Sequence, residues 1–287
     1  MKGEKIIDYI NKLFCMDNLE LMKQLPKDII DLIYIDPPFG IKTDEKFGMV
    51  PWNKNNQNKN EVDTIFPTLE KLLTNGECNY LRWLYPRLAL MRELLSEKGS
   101  IYVHEDWHVG HYVKVLLDNI FGKGNFRNEI IWSYKSAGMS TSTFPRKHDN
   151  IFYYSKCDRR IFHPIYVPHD AHVLKRFQRD EKGPYQLANG KKYYANPKGK
   201  PIEDVWEIIL ANRDGQRTGY ATQKPELLLK RIINASSNEN SIVADFFCGS
   251  GTTCAVAKKL HRCYIGCDIS QKAIDITEKR LSNEIHS

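Results

Sequence analysis

Asp36-Pro37-Pro38-Phe39, directly after the apolar run Leu32-Ile33-Tyr34-Ile35, combines a carboxylate, a rigid backbone and an aromatic face. Consecutive prolines fix φ and remove backbone donors, which leaves the Pro37 carbonyl as a rigid acceptor beside the Asp36 carboxylate. Two adjacent acceptors suit an exocyclic amino group. Such a nitrogen is a poor nucleophile because its lone pair is delocalised into the ring; holding its hydrogens favours a tetrahedral nitrogen whose lone pair faces an electrophile. Phe39 offers a surface on which the ring can stack. Alone, the tetrapeptide is also compatible with an ordinary turn, so a second motif has to decide.

That motif is Val243-Ala244-Asp245-Phe246-Phe247-Cys248-Gly249-Ser250-Gly251-Thr252-Thr253, which reads as a strand, a glycine turn and the start of a helix. Glycines let backbone approach a ligand, and a helix N-terminus presents free N–H groups to a carboxylate or phosphate. A nucleoside triphosphate would call for a P-loop lysine, and the turn has none. A dinucleotide would call for Gly or Ala where Cys254 stands, and for a second nucleotide-binding half. S-adenosylmethionine needs less: a site for its carboxylate and amine, and an acid at the end of the next strand for its ribose hydroxyls. Asp268, after Tyr264-Ile265-Gly266-Cys267, is placed for that role.

Alternating short apolar runs and amphipathic stretches predict an α/β sheet that positions both motifs. Strands are expected at 13–16, 32–35, 101–104, 128–132, 151–154, 241–246 and 263–267. Helices are expected at 19–25, 81–95, 112–121, 225–235, 252–260 and 271–281. Residues 41–66 are polar and poorly periodic, and read as a long loop after the Asp-Pro-Pro turn. From Ser155 to about Arg217 the pattern breaks into short polar pieces, which predicts a small insert between residues 1–154 and 218–287, two halves of one domain.

A chain of 287 residues with 41% apolar composition can build one substantial core. The charged N-terminus and the absence of an 18-residue apolar stretch predict a soluble intracellular protein. Seven scattered cysteines without a C-x-x-C pair read as reduced thiols. Cys157, His163, His169 and His172 lack a tight zinc-type spacing, and no metal is expected. Net charge is +7, and its placement says more: Pro145–Lys200 holds thirteen Lys or Arg against five Asp or Glu. Interleaved aromatics, including Phe152, Tyr153, Tyr154, Phe162, Tyr166, Phe177, Tyr185, Tyr193 and Tyr194, suit phosphate contacts and base packing. A solvated basic surface over core aromatics is the competing reading.

With both motifs in this order, the chain resembles the beta-class DNA amino-methyltransferases, in which the catalytic motif precedes the cofactor motif. The resemblance covers nearly the whole chain. Asp17 matches the acidic position near the cofactor adenine, Asp36 to Phe39 the catalytic tetrapeptide, and Thr222-Gln223-Lys224-Pro225 the motif before the cofactor strand. Asp245, Phe247, Gly249, Ser250, Gly251, Thr252 and Thr253 match the cofactor loop. Two departures stand out: Phe246 replaces a common Pro, and Tyr220-Ala221 replace a common His-Pro.

The resemblance implies a Rossmann-like seven-stranded sheet in circularly permuted order, with helices on both faces and a target-recognition insert at 155–217. It implies S-adenosylmethionine as cofactor, held by Asp17, Asp36, Lys224, Asp245, Phe247, Gly249, Ser250, Gly251, Thr252 and Asp268, with Asp36, Pro37, Pro38 and Phe39 catalytic. The expected partner is double-stranded DNA in a prokaryotic cytosol, with the target base flipped out; a homodimer and a cognate restriction endonuclease are compatible with it. Asp at the first catalytic position points to adenine, where cytosine amino-methylases more often carry Ser. Cytosine amino-methylation, methylation of RNA or protein, and a catalytically silent DNA-binding subunit remain the alternatives.

Overall fold

Successive strand residues face opposite ways, and Leu32, Ile33, Tyr34 and Ile35 are all buried, so their strand needs cover on both faces. The computed structural model, which describes residues 6–38, 65–134, 140–210, 220 and 222–283, supplies it. The chain runs through β1 (Lys12–Cys15), α1 (Asn18–Gln24), β2 (Ile30–Ile35), α2 (Asn75–Leu94), β3 (Leu95–Glu105), α3 (Gly110–Phe121), β4 (Phe126–Ser133) and β5 (His148–Ser155). Next come β6 (Tyr166–Val167), the single turn α4 (Ala171–Leu174), β7 (Gln178–Asp180), β8 (Gly183–Ala188), β9 (Lys191–Tyr194), β10 (Lys200–Pro201) and β11 (Val205–Glu207). It continues with α5 (Glu226–Ser236), β12 (Ile242–Asp245), α6 (Thr252–Lys259), β13 (Cys263–Asp268) and α7 (Gln271–Asn283).

One sheet carries β1-β13-β12-β2-β3-β5-β4-β11 in that order. β5 runs antiparallel to β3 and β4; every other pairing is parallel. Seven of these strands are the expected ones, and β11 is an eighth, three residues that pair beside β4 (Trp206 opposite Trp132). The stretch expected to be an insert thus also supplies an edge strand. Its other strands form a β7-β8-β9 meander and a β6–β10 pair. The β8–β9 turn uses Asn189 and Gly190 at φ 50° and 73°, the left-handed geometry a two-residue hairpin favours.

Pairing of β1 with β13, from Lys12 opposite Ile265 to Cys15 opposite Asp268, joins the start of the chain to its last strand. This is the permuted arrangement. Ile33, Ile35, Ile101, Val103 and Ala244 pack under α1, α2 and α3; Leu32, Tyr34, Tyr102, Tyr153 and Val243 pack under α5, α6 and α7. β12 leads through α6 to β13 on one side, and β2 leads through α2 to β3 on the other. The crevice between the C-terminal ends of β12 and β2 is therefore the switch point, where ligands of open α/β sheets bind.

Several expectations shift. Helix α2 starts at Asn75, two turns earlier than the apolar period suggests, because Thr74 and Glu77 form a reciprocal capping box. Residues 65–69 are helical and Phe66 is buried against Tyr85, so the polar loop ends sooner than residue 66. The remainder of that loop, and Phe39, lie outside the described residues. Strand β3 begins at Leu95 rather than at residue 101, and its pairing with β2 jumps from Leu95 opposite Ile30 to Ser100 opposite Leu32. A Cβ on Gly99 would lie 2.8 Å from the Ile30 carbonyl oxygen, so the jump requires glycine there. Phe152, Tyr153 and Tyr154 are buried in β5 and unavailable to a base, whereas Phe162, Tyr193 and Tyr194 are exposed. Among the described residues no helix is long and apolar enough to cross a membrane.

Candidate active site

Asp36 leaves the C-terminal end of β2 on the same face as Tyr34, two residues back. Its Oδ2 accepts an ion-paired hydrogen bond from Lys224, which stands just before α5. Its Oδ1 is buried and without a hydrogen-bond partner among the described residues. Facing it across the strands is the fully buried His104, whose Nδ1 lies 3.9 Å from that oxygen. The Tyr34 hydroxyl is 2.9 Å from the same Nδ1, while Nε2 is 3.2 Å from Asp149 Oδ2. Tyr134 donates to the other Asp149 oxygen at 3.0 Å.

Lys224 also ties the two motifs together, since its carbonyl accepts a 3.2 Å bond from the Thr252 hydroxyl. Arg280 donates to that hydroxyl at 2.9 Å and to Glu226, so the Thr252 side chain is engaged inside the protein. The buried Asp245 accepts from the Phe247 N–H at 3.0 Å and from the Thr253 hydroxyl at 2.5 Å. Asp268 accepts from the Gly249 N–H at 2.9 Å and from the Ser270 N–H at 2.9 Å, which fixes the loop against the next strand. Packing and backbone geometry explain both glycines. Gly251 sits at φ 71°, where a Cβ would lie 2.2 Å from Thr277 Cγ2, and a Cβ on Gly249 would press the Tyr220 ring at 3.2 Å.

Asp17 caps α1 by accepting the Leu19 N–H at 2.7 Å, and Arg87 from α2 donates to it at 2.7 Å. Arg87 also donates to Asn18 at 2.9 Å, and Asn18 donates to the Phe246 carbonyl at 2.8 Å. The Arg87 guanidinium lies 4.2 Å from the centre of the Trp83 ring, which packs on Phe247. Asp17 is thus connected to the glycine loop through Arg87 and Asn18, and Phe246, in the place of a common Pro, is core.

Asp36, Asp245 and Asp268 end three neighbouring strands. Burial pushes the Asp245 carboxyl up to about 7 against its two hydrogen bonds, and the Asp36 and Asp268 charges add to the rise. Burial also raises the Tyr34 hydroxyl well above its ordinary range, with Asp36 adding to it, so Tyr34 stays a phenol and a donor. Such a crowd of carboxylates is relieved by a cation. The carboxylates fit S-adenosylmethionine, whose sulfonium and ammonium are cationic; Asp245 and Asp268 would hold it. When bound, it supplies a methyl group on a positively charged sulfur.

Sequence reasoning placed Asp36, Pro37, Pro38, Lys224, Asp245 and the loop 249–252 at one crevice, where the structure also puts them. It did not find His104, which faces the Asp36 carboxylate, nor Tyr34, Asp149 and Tyr134, which form the hydrogen-bonded chain around His104, nor Glu105. Glu105 is a buried acid that accepts from Tyr80 at 2.8 Å, and burial pushes it well above the carboxylate range. The available signal was His104-Glu105 closing the apolar run 101–103, polar groups at the functional edge of the sheet. The residues weighed for a metal have protein partners: Cys157 meets the Glu97 carbonyl, His163 Asn238 and His169 the Asn196 carbonyl.

The chain is 29% identical over 285 residues to the type II methyltransferase M.HinfI of Haemophilus influenzae, across 98% of this chain and 71% of that protein. Its fold is similar to that of PvuII DNA methyltransferase, a cytosine-N4-specific enzyme, with a TM-score of 0.60 at 16% identity over 94% of this chain and 92% of the other. It is also similar to M1.HpyAVI in complex with S-adenosylmethionine, with a TM-score of 0.54 at 19% identity over 94% and 98%. Residues 30–279 match the N6_N4_Mtase DNA methylase family, whose cofactor is S-adenosylmethionine. The match spans both motifs and most of the chain, and the protein belongs to that family of DNA N4/N6 amino-methyltransferases.

Proposed function

We propose that the protein transfers a methyl group from S-adenosylmethionine to the exocyclic amino group of adenine in duplex DNA, with residues 155–217 choosing the site. The observation that carries this is the division of labour within one carboxylate: Lys224 holds Asp36 Oδ2, while the buried Oδ1 has no donor among the described residues. An amino N–H is the donor such an oxygen lacks. Fixing Oδ2 prevents the carboxylate from turning away and aligns the amine before reaction. A base within a duplex cannot reach a crevice at the strand ends, so it is flipped out first.

Choice of adenine rests on Asp, rather than Ser, at the head of the catalytic tetrapeptide. Exposed Tyr193, Tyr194 and Phe162 among the lysines and arginines of 155–200 support the insert as the DNA-facing part. Methylation-aware sequencing of DNA from cells producing the protein tests the reading. N6-methyladenine at one sequence context is expected, and N4-methylcytosine in its place overturns the choice of base.

A further inference from the structure

Methylation leaves the target nitrogen with one hydrogen too many, and the structure contains an internal place for that proton. Asp149 lies partly buried next to His104; partial burial opposes its charge, but hydrogen bonds from His104 and Tyr134, with the Lys224 charge nearby, bring its carboxyl below the ordinary range. It is therefore an ionised acceptor, and His104 Nε2 carries the proton that meets it. In a neutral ring this leaves Nδ1 bare, accepting from the Tyr34 phenol at 2.9 Å, with Asp36 Oδ1 3.9 Å away. The Trp132 ring edge closes off the imidazole at 5.4 Å between centres.

We infer that His104 is the proton acceptor behind Asp36. As the nitrogen–carbon bond forms and the sulfur–carbon bond breaks, the sulfur becomes a neutral thioether and the nitrogen takes the positive charge. One N–H proton passes to Asp36 Oδ1, restoring a neutral methylamine. With Oδ2 still held by Lys224, a shift of Oδ1 across the 3.9 Å that separates it from His104 Nδ1 hands that proton over, which regenerates the Asp36 anion. The imidazolium is held by Asp149 through Nε2–H and by Tyr34, whose hydroxyl turns to accept. Among the described residues, the titratable and charged groups facing His104 include Tyr34 from β2 and Asp36 directly after it, Asp149 from β5 and Tyr134 after β4, with Lys224 beyond Asp36. Asp149 is only partly covered, which gives the proton a way out to solvent.

The inference rests on reading Asp36 as the acceptor of the amine. The test is single-turnover transfer of labelled methyl to duplex DNA across a pH series, with His104→Gln and Asp149→Asn beside the wild type. Gln keeps a hydrogen-bonding side chain but cannot take the proton. His104→Gln is expected to slow transfer by about 100-fold, with cofactor affinity within about 2-fold of wild type. The wild-type rate should fall toward acid, because a His104 already protonated accepts nothing, and that limb should move to lower pH in His104→Gln. Asp149→Asn should slow transfer in the same direction, which keeps the inference testable if one variant folds poorly. A His104→Gln protein with the wild-type rate, or slowed with an unchanged pH profile, overturns the proton role while leaving Asp36 as acceptor. Retained activity in Asp36→Ala overturns both.

Discussion

Lys224 and Asp36, 188 residues apart in the chain, form an ion pair at the switch point of the sheet. The pair depends on the permuted topology, which lays the strand from the chain's last third beside β2. It orients one carboxylate oxygen so that the other faces the crevice. Lys224→Gln is expected to lower kcat by about 100-fold through misplacement of Asp36, with Lys224→Arg recovering part of it. Steady-state kinetics at saturating cofactor and DNA check this; an unchanged kcat with a raised cofactor KM would assign Lys224 to cofactor binding alone.

Gly251 combines a left-handed backbone with a Cβ position inside the Thr277 side chain. Gly251→Ala should destabilise the fold by about 2–4 kcal/mol, from overpacking and backbone strain together. Adding Thr277→Ala relieves the clash but not the strain, so the double variant should recover about half. Denaturant unfolding of the two variants checks the division; equal stabilities would show that Thr277 is not what excludes the methyl group.

Asp17 caps α1 and pairs with Arg87, which is largely buried. Asp17→Ala loses a cap worth about 1 kcal/mol and leaves a buried guanidinium short of an acceptor. A total loss of about 2–3 kcal/mol is expected, read as a lower urea midpoint. A change below about 0.5 kcal/mol, typical of surface substitutions, would contradict the buried role of Arg87.

The raised Asp245 carboxyl has a defined sign. Its folded value, about 7, lies above the unfolded one, so its contribution to stability is complete below the ordinary carboxylate range, about 4, and is lost as pH rises through about 7. Melting temperature without cofactor should therefore decline over that window, and Asp245→Asn should flatten the decline. A parallel decline in the variant would place the titration elsewhere.

The strand and helix order was legible because the chain writes it in apolar periods, and because both ligand-facing turns carry residues that ordinary turns rarely need together. What was not legible is instructive. Tyr34 reads as one more apolar strand residue, yet its hydroxyl is the polar end of a group buried two positions before Asp36. His104, Asp149 and Tyr134 come from three separate strand ends, and only the β3–β5 and β4–β5 pairings bring them together. Phe152, Tyr153 and Tyr154 looked available to a base because they adjoin a basic stretch; alternation within a strand covered on both faces buries all three.

Transfer of labelled methyl from S-adenosylmethionine to duplex DNA by the wild type and by Asp36→Ala, followed by nucleoside analysis, tests the central claim most directly. Label should appear on the exocyclic amine of adenine with the wild type and be lost in the variant, while the variant still binds cofactor. Label undiminished in Asp36→Ala, or found on no DNA base with the wild type, would contradict the account.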